Sequence, residues 1–149
     1  MAEARDIAIL NGLLAATQNS PLCHLVDSVV FPASAAADEV EAVQNMVREE
    51  RAQGATLAEL ILDLRGAPRP AAPDPHAADL HYLEFHYLLA GILRAKELLL
   101  ARFEAARVGL AGSPAALEVV TRLGAQQRRH VETLRELVKR SVPAPAQPA

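Results

Sequence analysis

Seven residues in this chain combine a chemically capable side chain with a position on the inner face of a helix: Thr17, Glu50, Gln53, His81, Glu84, Gln127 and His130. The clearest case is the stretch from Ala77 to Leu110. Apolar residues recur there at Leu88, Ile92, Ala95, Leu99, Phe103, Ala106 and Leu110, in steps of three and four that keep them on one helical face. Continued backwards, the same stripe passes through Glu84 and His81, so a carboxylate and an imidazole one turn apart face the interior. Glu50 with Gln53, and Gln127 with His130, repeat that spacing on two other stripes, and Thr17 lies on a fourth. Such groups either ligate a metal ion or hydrogen-bond one another, because a buried polar atom without a partner costs free energy.

Four helices must carry these stripes. The first is expected over residues 4–29, with Ile7, Leu10, Leu14, Thr17, Pro21, His24 or Leu25, and Ser28 inward. Pro21 removes a backbone donor and clashes with the preceding turn, which predicts a kink or interruption between Asn19 and Leu22. The second is expected over 38–65, opened by a capping box of Asp38 and Glu41 and closed by Gly66 as the C′ glycine. Its stripe is Val43, Met46 or Val47, Glu50, Gln53 or Gly54, Leu57, Leu60 or Ile61 and Leu64, while Glu39, Glu41, Arg48, Glu49, Arg51, Glu59 and Asp63 read as solvated surface. The third occupies 77–110. The fourth starts with Ser113 as N-cap and Pro114 at the first helical position. It runs to 140 along Leu117, Val120, Gly124, Gln127, His130 or Val131, Leu134 and Leu137 or Val138, with its basic residues outward or near the C-terminal end.

Pro68, Pro70, Pro73 and Pro75 forbid a helix between the second and third and favour extended polyproline conformation. A dozen residues at ~3.1 Å each reach roughly 37 Å, close to the ~42 Å length of a 28-residue helix. The linker can therefore cross the bundle and let helix 3 run parallel to helix 2, whereas the other two connections are short enough to make antiparallel hairpins. The expectation is an all-α four-helix up-down bundle over 1–142 with one long crossover, followed by a disordered Pro/Ala-rich tail over 143–149.

Composition agrees. At 149 residues the chain suits one domain, and some thirty alanines with 3% aromatics and no Trp favour helices over strands. A net charge of -3 offers no basic field for nucleic acid. The single cysteine, Cys23, excludes an internal disulfide and a multi-Cys metal site, and suits the cytoplasm. No run of roughly 18 apolar residues exists for a membrane span, and the N-terminus reads as a helix without a basic n-region.

With these elements in place the chain resembles the ferritin-like superfamily of carboxylate-bridged di-iron bundles. DIAILNGLLAATQ looks like the first helix of that family, REERAQGATLAELI like its second with the histidine replaced, and QQRRHVETLREL like its fourth. The resemblance spans residues 5–140. In that family two helices supply one Glu each and the other two supply Glu-x-x-His toward a pair of metal ions. It implies ligand positions at Glu50, Glu84 and His130, with His81 nearby, and lost ligands at Thr17, Gln53 and Gln127.

Two close cations need several carboxylates, and the surviving set supplies at most two negative charges and one imidazole. A complete di-iron centre is not expected. Three readings remain: a satisfied polar layer of Glu, His, Gln and Thr without metal; a single Zn²⁺ or Fe²⁺ on Glu50, Glu84, His130 and His81; or a small molecule in space left near Gly54, Gly91 and Gly124. Tyr82, His86 and Tyr87 read as boundary residues, His76 as exposed in the linker, and Cys23 and His24 as unable to pair because they point about 100° apart on a helix. No glycine-rich phosphate loop, G-x-S-x-G elbow or H-E-x-x-H occurs. The leading expectation is a non-catalytic bundle acting as a structural or partner-binding module, homodimeric and without a cofactor. A metal-dependent oxidoreductase is the alternative.

Overall fold

The computed structural model describes residues 2–24, 37–69, 71 and 85–141. The expected helical residues 25–29 and 77–84 and the tail over 143–149 lie outside that set, as do the side chains of Cys23, His24, His76, Tyr82 and His86. Within it the helices are α1 (Ala2–Gln18), α2 (Ala37–Asp63), α3 (Phe85–Gly109) and α4 (Pro114–Ser141), with a single 3-10 turn at Pro21–His24. No strand occurs among the described residues.

Pro21 interrupts the first helix as the sequence predicts. After Gln18 the backbone tightens, Ser20 N–H donating to Thr17 O at 3.2 Å, and the chain restarts as the 3-10 turn, which buries Leu22. At the other end of the hairpin, α2 closes with the glycine in a different place from the expected one. Arg65, not Gly66, takes the left-handed conformation, at φ 63°. Gly66 N–H donates to Ile61 O at 2.8 Å and Arg65 N–H to Leu62 O at 2.9 Å, the paired bonds of a Schellman motif with Arg65 at C′ and Gly66 one residue beyond. Gly66 is required there for space: a Cβ would lie 2.8 Å from Ile7 Cγ2. Asp38 also differs from its expected role. It lies inside the first turn of α2, where a carboxylate suits the helix dipole, and pairs with Arg140 at 3.4 Å. Ser113 does precede α4, its carbonyl accepting from Leu117 N–H at 2.8 Å, and its hydroxyl donates to the buried Asp6 carboxylate.

Helix directions follow from which ends meet. Ile7 near the start of α1 meets Gly66 just past the end of α2, and Ile9 meets Gly109 at the end of α3. Both α2 and α3 are therefore antiparallel to α1 and parallel to each other. The α2–α4 pair is antiparallel, with Asp38 beside Arg140 and Gln53 beside Leu123. The crossover begins as expected. Asn11 on α1 donates to Ala67 O at 3.1 Å and accepts from Arg69 N–H at 2.7 Å, and Gln18, two turns on, accepts from Ala71 N–H at 2.8 Å. Four linker residues thus match about 10 Å of helix, the advance of extended chain.

The apolar interior is split in two. One cluster holds Leu10, Leu14, Leu57, Ile61, Phe103 and Val120, and the other Leu22, Val43, Val47, Leu89, Ile92 and Leu134. Between them all four helices turn polar at the same level, at Thr17, Glu50 with Gln53, Lys96, and Gln127 with His130, each buried.

Candidate functional site

Lys96 is the centre of this layer and the residue that sequence reasoning missed. The apolar spacing places Ala95 on the inner stripe, yet Ala95 is half-buried and Lys96 is 0% exposed. Ile92 and Leu99 are both buried, and a helix can join them through either position. Lysine is rarely buried without a partner, and here the partners converge on it. The ammonium donates to Glu50 Oε1 and to Gln127 Oε1 at 2.7 Å, and lies 2.9 Å from His130 Nδ1. The Lys96 and Glu50 side chains are both fully buried.

From Lys96 two arms run to Glu49. In the short arm His130 accepts at Nδ1 and its Nε2 lies 2.9 Å from Glu49 Oε2. In the long arm Gln127 Nε2 donates to Gln53 Oε1 at 2.6 Å, Gln53 Nε2 to Gln126 Oε1 at 2.6 Å, and Gln126 Nε2 to Glu49 Oε2 at 2.7 Å. Each amide accepts from the side of the cation and donates toward the carboxylate, so the hydrogen bonds polarise one another in the same sense. Glu49, expected on the solvated surface, is half-exposed, 44% by side chain, and forms the outer end of the network. The arrangement holds His130 neutral. Desolvation by burial lowers its pKa from the ordinary 6.5 and the Lys96 charge lowers it further, against the hydrogen bond and charge of Glu49 and the charge of Glu50.

The structure therefore brings together Glu50, Gln53, Gln127 and His130 of the expected site, and adds Lys96, Gln126 and Glu49. Thr17 lies at the same level, its hydroxyl donating to Leu13 O at 2.7 Å within its own helix. Glu84 and His81 lie outside the described residues. A cavity of about 270 Å³ reaches the layer between α1 and α2, lined by Thr17, Gln18, Glu50, Arg51, Gly54 and Ala55. Space thus occurs at Gly54, whereas Gly124 is filled, a Cβ there meeting Phe103 Cβ at 3.6 Å.

These residues do not fit a pair of metal ions. Glu50 Oε1, Gln127 Oε1 and His130 Nδ1 face the Lys96 ammonium, which occupies the point on which they converge. A further cation there would meet a fixed positive charge in a poorly screened interior. Among the described residues no group of three or more His, Cys, Asp and Glu side chains is placed to hold a metal ion.

No protein-family model matches the chain, and no curated protein does. Its backbone is similar to a solved structure from Bacillus anthracis str. Ames described as a ferritin-like, diiron-carboxylate protein. The TM-score is 0.68, the sequence identity 20%, and the match covers 93% of this chain and 98% of that one. The fold is therefore ferritin-like, as the sequence resemblance implied. No helix among the described residues is long and apolar enough to cross a membrane.

Proposed function

We propose that this chain is a non-catalytic ferritin-like bundle, a structural or partner-binding module that works without a metal cofactor. One observation carries the proposal: a lysine ammonium is bonded to Glu50 and His130, the carboxylate and imidazole that the family resemblance implies as metal ligands, and to the amide of Gln127. Such a layer orders the helices and supplies no open coordination position for oxygen or substrate. Its work is then done at the surface. Tyr87 and Leu98 are 65% and 70% exposed on α3, and eleven residues bring them round to within about 20° of each other. We take that face of α3 as the surface of association, most simply in a homodimer in the reducing cytoplasm that a single cysteine suits.

The test is to load purified protein anaerobically with ferrous iron, desalt it, and follow oxidation on admitting air. Well under one equivalent retained, and oxidation no faster than in buffer, are expected. About two equivalents with saturable oxidation would sink the proposal. Sedimentation of the wild type against Leu98→Glu tests the surface, the variant being expected to lose self-association.

A further inference from the structure

We infer that the Lys96 ammonium is the resident cation of this bundle, taking in charge and in contacts the place that a metal ion would hold. The inference rests on the metal-free reading above and goes beyond it by assigning the occupant. Glu50 from α2 and Gln127 and His130 from α4 converge on one point. Glu50 and His130 are of the donor types that bind Zn²⁺ or Fe²⁺, and the Gln127 amide oxygen adds a neutral acceptor beside them. Lys96 reaches that point from α3 on a buried stem between Ile92 and Leu99. An ammonium has three N–H donors and no acceptor, and at least three acceptors surround it here.

The charge balance favours the same occupant. Glu50 is a fully buried carboxylate and needs a counter-charge. His130 turns Nδ1 toward the ammonium and Nε2 toward the second carboxylate, Glu49, which lies at the rim beyond it. One unit of positive charge suits this set, whereas two divalent ions bring four. Thr17, Gln53 and Gln127, the positions where ligands are missing, contribute polarity without charge. Lys96 and a metal ion therefore compete for the same lone pairs, and cutting Lys96 back to Cβ turns the layer into an empty cation site.

The experiment is Lys96→Ala, which removes the atoms of n-propylammonium. Its melting temperature is expected below that of the wild type and raised again by n-propylammonium or Zn²⁺, but not by 1-propanol. Co²⁺ is expected to give d–d absorption near one equivalent in the variant and none in the wild type. A folded variant that neither cation stabilises, or that propanol stabilises equally, overturns the inference. Should the variant not fold, the wild type still decides. Its His130 ¹⁵N shifts at pH 7 are expected to show a bare Nδ1 and a protonated Nε2, and protonation at Nδ1 overturns the inference. The two readings fail separately: stoichiometric Co²⁺ in the wild type defeats the metal-free function, while a silent variant beside a metal-free wild type defeats this assignment alone.

Discussion

The imidazole of His130 is held between opposite charges, with Lys96 Nζ 2.9 Å from Nδ1 and Glu49 Oε2 2.9 Å from Nε2. The ring is thereby fixed as the neutral Nε2–H tautomer, accepting on one side and donating on the other.

Burial disfavours the charged ring, and protonation would turn its Nδ1 acceptor into a donor facing an ammonium, so the folded pKa is lowered from 6.5. Between the folded value and 6.5 the unfolded chain binds more protons than the native one, so stability is fully present above pH 6.5 and is lost as pH falls toward the folded value. Urea midpoints measured from pH 7.5 to pH 5 should fall, and should fall less steeply in His130→Gln, in which the other histidines still titrate.

The Lys96–Glu50 pair makes a sharper prediction because both side chains are fully buried. Removing one partner leaves the other charge buried without compensation, so Lys96→Met and Glu50→Leu should each cost about 3–5 kcal/mol. The double variant replaces the pair by apolar groups and should recover most of that loss. A double-mutant cycle in urea measures the coupling, and additive losses would contradict the pairing.

At the end of α2 the two neighbouring residues should respond in opposite directions. Gly66→Ala drives a methyl against Ile7 at 2.8 Å and should destabilise by about 1–3 kcal/mol. Arg65→Gly relieves a left-handed arginine at φ 63° and should stabilise by up to about 1 kcal/mol. Thermal melts of the two variants check the signs.

Asn11 tethers the crossover through both ends of its amide. Asn11→Ala should cost about 1–2 kcal/mol for the lost bonds and should release the Arg69 amide to faster hydrogen exchange. Protection of Arg69 unchanged in the variant would show that the tether is not holding the linker.

Much of this architecture could be read from residue spacing. The prolines from Pro68 to Pro75 imply a linker long enough for α2 and α3 to run parallel, as they do, and the i, i+3 pairs at Glu50 with Gln53 and Gln127 with His130 fall on the buried faces. Lys96 was hidden by an ambiguity of phase: Ala95 and Lys96 both lie between Ile92 and Leu99, and alanine is the ordinary choice for an interior position. The available signal was chemical rather than periodic, since a layer missing its metal ligands but keeping a buried glutamate still needs a positive charge. Glu49 and Gln126 were hidden similarly, as they border the stripe and their role depends on a partner helix. The position of Gly66 turned on a close approach of α1 that local sequence does not encode.

The division of the interior into two apolar halves also bears on how the helices find their alignment. Aliphatic side chains fill both halves, joined by Met46 in one and by Phe103 in the other, so neither half strongly distinguishes the native arrangement from one with a helix displaced by a turn. A one-turn slip moves a helix about 5.4 Å. For α2 that would carry Glu50 away from Lys96 and slide Met46 or Gly54 toward the ammonium, stranding a charge in an apolar surround. The polar layer thus acts as the key in a keyed joint: it adds little net stability for the charge it buries, but it makes every misaligned bundle much worse than the native one.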